Sequence, residues 1–259
     1  MKTARSWKPG SGVYFLAGLL VLLEAVSRAG IFSSLVFPPP SVVLVVFARN
    51  VLNGTLVSQI LASLTLMITG YLLCALVMIP LGVLIGGSRH ASNFFGATIE
   101  FLRPLPPPAI IPIVILFLGI GDGMRVFVVF FTCSFPVITN TFDAIKRVPR
   151  LYILSGMALG LNRWELFTKI MIPAAAPGIV SGLKTAMPIA IVITVLAEMV
   201  GSIRGIGHYM LLKQRTFEVA EMYAAVIALG LLGYLFNRIF HFLDRTYFGW
   251  YSGWKKVTT

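Results

Sequence analysis

Residues 60–87 form a run of twenty-eight positions without one Asp, Glu, Lys or Arg. About 20 apolar residues in a helix, rising 1.5 Å each, cross the hydrocarbon of a bilayer. The run is therefore read as a spanning helix, kinked at Pro80 and closed on its inner side by Arg89 and His90. The rest of the sequence agrees. Charged residues make up 12% of the chain, hydrophobic ones 58%, and the mean hydropathy is +0.90; soluble domains carry about 25% charged residues. Basic loops on the cytoplasmic face explain the net charge of +12 better than nucleic acid does. Cys74 and Cys133 lie in apolar runs with no metal spacing or disulfide framework, and read as small buried apolar residues.

Lys2, Arg5 and Lys8 precede an apolar run at 12–23. It could be a cleaved signal peptide. The signal-anchor reading is preferred, because Arg28 crowds the cleavage site and the run extends to about Val26. Glu24 falls near the outer end of that helix. Pro38-Pro39-Pro40 stops regular structure, and 41–47, with Ser41 as N-cap, reads as an external interfacial helix. In 92–121, Glu100 and Arg103 are three apart on one helix face and can pair. Pro104, Pro106, Pro107, Pro108 and Pro112 then break the helix. In hydrocarbon such a break survives only where it is buried in protein or lines a watery cavity; at the headgroups water can satisfy it. Both readings stand.

The span at 126–142 carries a polar stripe of Ser134, Thr139 and Asn140, suited to an interior surface. Lys146, Arg147 and Arg150 follow as an inside signal. Another span, 174–201, is interrupted by Lys184 and Pro188 and holds Glu198 near its outer end. Glu198 is read as a gate or helix-tethering carboxylate with Arg204 or a backbone N–H as partner, or as a carboxylate solvated at the headgroups. The last span is 222–236, extended to about 243. With the N-terminus inside, fourteen Lys and Arg fall on inner segments and six outside (Arg28, Arg49, Arg125, Arg204, Lys213, Arg215), with Lys184 set aside. That obeys the positive-inside rule and gives an all-α membrane protein of six transmembrane helices, both termini cytoplasmic. The divisions are 1–56, a helix plus the external interfacial helix; 57–245, a core of five spans; and 246–259, a cytoplasmic tail.

The same topology puts 154–173 in the cytoplasm. Leu161, Trp164, Leu166, Phe167, Ile170 and Met171 recur there at spacings of three and four, the period of an amphipathic helix. Such a helix can rest on headgroups or dock into a partner's groove. Gly160, nine residues, then Ile170-x-Ile172-Pro173 resembles the second half of the "EAA" loop of permease subunits in bacterial ABC importers. The Glu-Ala-Ala triplet falls on Leu154, Ser155 and Gly156 and is not matched. Leu102-Arg103-Pro104-Leu105-Pro106-Pro107, Gly119-Ile120-Gly121, Ala197-Glu198-Met199 and Gly205-Ile206-Gly207 add to the resemblance, which points to the nitrate/taurine/alkanesulfonate branch and spans about 37–250.

The resemblance implies a type I ABC importer permease fold with a coupling helix at about 154–170. Gly160, Leu161, Arg163, Trp164, Phe167, Lys169 and Pro173 would seat it on an ABC ATPase subunit, present in two copies. A second copy of this permease would share the pathway, with Pro106, Pro107, Pro108, Ser134, Thr139, Asn140 and Glu198 along it. A periplasmic or lipid-anchored substrate-binding protein would deliver a small anion of the sulfonate, taurine, nitrate or bicarbonate class. Related permeases carry thiamine-precursor pyrimidines or aromatic acids. The chain itself would bind no cofactor and catalyse nothing, ATP and magnesium staying on the partner. Gly182-Leu183-Lys184-Thr185 lacks the glycine before the lysine that a phosphate-binding loop needs, Gly205-Ile206-Gly207 follows no strand, and His90, His208 and His241 form no cluster. A self-contained secondary transporter would show matching halves, and none is seen. An intramembrane enzyme would have only Glu100, Lys184 and Glu198 to work with.

Overall fold

The computed structural model describes residues 9–30, 33, 35–102 and 104–247. Their regular structure is entirely helical: α1 (Pro9–Arg28), α2 (Pro40–Leu52), α3 (Thr55–Gly87), α4 (Arg89–Leu102), α5 (Pro107–Leu118), α6 (Asp122–Lys146), α7 (Arg150–Ala158), α8 (Arg163–Met199), α9 (Ile206–Arg215) and α10 (Val219–Tyr247). Among the described residues α3, α6, α8 and α10 are long and apolar enough to cross a membrane. The basic residues at 2, 5, 8, 255 and 256, and the expected Glu100–Arg103 pair, lie outside what is described.

The core is α3, α6 and α8, and small residues set its spacing. A methyl group at Gly70, Gly82 or Gly86 of α3 would stand 2.8–2.9 Å from Val129, Thr141 or Ile145 of α6. Partner numbers rise together, so the two helices run parallel. On the other flank Gly178 and Gly182 of α8 meet Ala144 and Asn140 of α6. There the numbers run oppositely, so α8 is antiparallel. Glycines four apart let backbones approach where lipid supplies no hydrophobic drive for association. Met67, Cys74, Val129, Cys133, Val137, Ala186 and Ala190 fill the seam.

Because α3 and α6 are parallel, the chain between them must return across the height of the bundle. It does so through α4, a break at 104–106, and α5. The prolines are less disruptive than the sequence suggested. Pro106 is extended, with φ −69° and ψ 120°, but Pro107 and Pro108 occupy the first helical turn and Pro112 lies inside α5. A proline in the first turn loses no hydrogen bond, since that N–H has no helical partner anyway. The 12 residues of α5 span only about 18 Å.

Two other boundaries move. Helix α2 starts at Pro40, not Ser41, and runs to Leu52. Ser41 is not the cap: its N–H (3.0 Å) and hydroxyl (2.7 Å) donate to Glu24 of α1, so a carboxylate from outside takes one of the orphan backbone donors of α2. The span expected from 174 begins eleven residues earlier, at Arg163, and passes Pro173, Pro177 and Pro188. A π-turn at Phe167–Met171 shifts the register just before Pro173, whose missing N–H falls where the bonding pattern changes.

Candidate functional site

Gly86 against Ile145 places the ends of α3 and α6 and the start of α8 at one end of the bundle. The expected single amphipathic helix at 154–170 is two pieces there. Helix α7 ends at Ala158; Gly160 has φ +78°, the left-handed conformation that stops a helix cheaply only at glycine. Asn162 then starts α8 with a capping box. Its Oδ1 accepts from the Glu165 N–H (2.9 Å), and the Glu165 carboxylate accepts from the Asn162 N–H (3.1 Å) and Lys169 (2.8 Å).

The break redistributes the expected anchors. Trp164 is 71% exposed. Leu161 and Phe167 turn inward: Leu161 reaches Gly156, and the Phe167 ring lies against Gly87 of α3. Phe167 fastens the start of α8 to α3, and Leu161 packs back on α7. The outward apolar surface instead comes from Leu151, Leu154, Met157 and Leu159 together with Trp164. Arg163, Lys169 and Pro173 are exposed beside it. Gly156, third in the unmatched triplet, has no room for a side chain, since a methyl there would stand 2.4 Å from Ile170 and 2.6 Å from Leu166.

In mid-bundle the polar stripe divides. The Ser134 hydroxyl donates to the Phe130 carbonyl (2.7 Å) and sits 3.9 Å from the Cys74 sulfur on α3. Asn140 donates to the Pro136 carbonyl (2.8 Å) and packs on Gly182 of α8. Thr139 is half-buried, and among the described residues its hydroxyl has no partner. Six positions on a helix are 600°, so Ser134 and Asn140 cannot share a face. Pro106, Pro107 and Pro108 stand at the foot of α5, toward the α7 end.

The far end is tied by a polar network that the sequence reading largely missed. Glu198 is 1% exposed. One carboxylate oxygen accepts from the Ser63 hydroxyl (2.9 Å) and the Gly207 N–H (2.8 Å), while Ser63 accepts from the Ile206 N–H (2.8 Å) and Gln59 from the Gly205 N–H (2.7 Å). Of the two expected partners the backbone N–H is the real one; Arg204 reaches Asp122 instead, at 3.4 Å. A methyl on Gly205 would stand 2.4 Å from the Glu198 carboxyl, and one on Gly207 2.3 Å from the Val195 carbonyl oxygen. The Gly-Ile-Gly sequence thus lays the start of α9 onto Glu198. Buried Arg125 pairs with Asp122 (2.7 Å), donates to the Gly121 carbonyl (3.1 Å), and donates to the Ser202 hydroxyl, joining α6 to the loop after α8. Glu221 gathers Arg49, Asn50 and Tyr209 from α2 and α9. Burial, and then the Glu221 carboxylate, push the Tyr209 hydroxyl above its ordinary value, so it stays a donor. Among these residues Glu198, a charge in an apolar run, was a legible signal.

Residues 78–248 match the family model described as binding-protein-dependent transport system inner membrane component. A putative ABC transporter permease protein of Methanocaldococcus jannaschii is 32% identical, over 76% of this chain and 74% of that one. A putative aliphatic sulfonates transport permease protein of Bacillus subtilis is 26% identical over 94% and 88%, and a bicarbonate transport system permease protein of Synechocystis 31% identical over 90% and 86%. A solved chain of the inward-facing methionine ABC transporter MetNI superposes with a TM-score of 0.66 at 18% identity, covering 73% of this chain and 94% of that one, which shows a shared type I importer fold. The chain belongs to the binding-protein-dependent transport system inner membrane component family and is the permease subunit of an ABC importer.

Proposed function

We propose that this permease pairs with a second copy of itself and sits on two ABC ATPase subunits at its α7 end. A periplasmic or lipid-anchored binding protein would deliver a small oxyanion of the sulfonate, nitrate or bicarbonate class to the other end. ATP hydrolysis belongs to the partner. Both chain termini and the α7 end are cytoplasmic, and the pathway runs along the half-buried Thr139 and Asn140, past the break before Pro106–Pro108. The observation that carries the reading is the α7 end itself. It combines an exposed apolar surface with Lys146, Arg147, Arg150 and Arg163, on a loop packed on itself through Gly156 and Leu161 and held to α3 by Phe167. A rigidly held apolar patch with a basic rim suits a protein cleft with an acidic edge.

The similarity to the aliphatic sulfonates permease protein of B. subtilis and the bicarbonate permease protein of Synechocystis supports the oxyanion class. Reconstitution with its cognate ATPase and binding protein, followed by uptake of labelled ethanesulfonate, nitrate and bicarbonate, tests the substrate. ATP-dependent uptake of one of them is expected; uptake of none refutes the substrate class.

A further inference from the structure

We propose that the end opposite α7 carries a reception site for an amphipathic organic anion, one with a single anionic head and a short apolar body. It lies between the C-terminal end of α8 and α9. The inference rests on the orientation and oxyanion class proposed above, and narrows that class.

A cavity of about 420 Å³ opens there, with Met199 and Val200 on one side and His208, Leu211, Leu212 and Arg215 on the other. The four α9 residues stand at i, i+3, i+4 and i+7, one face of the helix. The opposite face of α9 buries Ile206 and Tyr209 in the bundle, so the helix cannot turn this face inward.

The charges at this end single out the same place. At this end Arg28 pairs with Glu24, Arg49 with Glu221, Arg125 and Arg204 with Asp122, and Lys213 with Glu218. Among the described residues Arg215 is the one cation here without a carboxylate, and it lines the cavity. Half-buried His208 adds a ring N–H, which even the neutral imidazole possesses. The Glu198 carboxylate, one residue before Met199, is 1% exposed; Ser63 and Gly207 engage one of its oxygens, and the other is buried without a partner among the described residues.

Size and lining decide the ligand. Pockets of about 300–1,000 Å³ lined by apolar side chains with few polar groups suit organic ligands. A bare four-atom oxyanion is only about twice the roughly 30 Å³ share of one water, and Met199, Val200, Leu211 and Leu212 offer it nothing. A short alkyl chain carrying a sulfonate or carboxylate uses both halves: the fork of Arg215 takes the head, and the apolar wall takes the body.

Leu212→Cys, in a chain whose own Cys74 and Cys133 are buried, supplies the test. Labelling of position 212 by a maleimide is timed on the purified permease–ATPase complex in detergent, with butane-1-sulfonate, sodium nitrate or butan-1-ol at matched ionic strength. Millimolar butane-1-sulfonate should slow labelling at least fivefold, with nitrate and butan-1-ol without effect. Adding Arg215→Gln should raise the half-protecting concentration at least tenfold, and Arg215→Lys should raise it less. No protection, equal protection by nitrate, or protection unchanged in Arg215→Gln would each overturn the proposal. The readout needs neither transport nor a membrane, so absence of uptake of all three oxyanions would refute the proposed function separately.

Discussion

Replacing Gly207 by Ala puts one methyl group where the structure has no space for it. That methyl would stand 2.3 Å from the Val195 carbonyl oxygen and 2.9 Å from Glu198 Cβ. Both obstacles are fixed: one is backbone, the other the root of a side chain that is 1% exposed. The start of α9 must withdraw by about 1 Å to restore ordinary contact, an overpacking cost of about 1–3 kcal/mol. The same withdrawal stretches the 2.8 Å bond from Gly207 to Glu198. A hydrogen bond to a charged acceptor contributes about 1.5–3 kcal/mol. One displacement causes both losses, so they overlap, and about 3 kcal/mol is the expected total, roughly 6–12 °C for a chain of this size. Gly230→Ala is the internal control. It lies inside α10 with nothing within 4 Å, and alanine is favoured over glycine in a helix by about 0.5–1 kcal/mol. Thermal melting of the purified permease in detergent, followed by size-exclusion recovery after heating, reads both. If Gly207→Ala melts as high as Gly230→Ala, the close seating of α9 on Glu198 is wrong.

Glu198→Gln keeps acceptors for Ser63 and Gly207 and removes a buried charge, so its melting temperature should stay near wild type. Glu198→Ala orphans two buried donors at about 1–3 kcal/mol each and should melt well below it; equal melting of the two would contradict the tether. For topology, a cysteine at position 213 should react with an impermeant reagent from outside intact cells and one at 163 should not; the reverse pattern inverts the proposed orientation. Gly160→Val forces a β-branched residue to φ +78°, a cost of about 1–3 kcal/mol, and should lower ATPase co-purification; unchanged recovery would remove Gly160 from the docking loop.

The sequence exposed what depends on length and charge, and hid what depends on contact. Long apolar runs with few or no charges marked α3, α6, α8 and α10 because hydrocarbon tolerates little else. The return through α5 was legible only as a proline-rich break: Pro107 and Pro108 look like breakers until it is known that they occupy a first turn. The α7–α8 loop was misread because the helical spacing of Leu161, Trp164 and Phe167 just after Gly160 suggested that one helix ran through from 154, and spacing alone cannot report the left-handed φ at Gly160. Glu198 stood out as a charge in an apolar run, and its expected backbone N–H partner is there. Ser63 and Gln59, which complete the network, lie about 140 positions away and carry no local signal.

Co-purification of the ATPase in detergent, with substrate-stimulated hydrolysis in the reconstituted complex, bears most directly on whether the α7 end docks the motor. Leu154→Glu sets a charge in the middle of the exposed apolar surface, and Trp164→Ala removes its one outward aromatic. Truncating a central anchor costs about 2 kcal/mol or more, roughly 30-fold in Kd. Each variant should lose most of the bound ATPase and its stimulated hydrolysis. Leu52→Ser, exposed at the opposite end, should keep both. Full ATPase recovery and normal stimulation in Leu154→Glu and Trp164→Ala would contradict docking at this end.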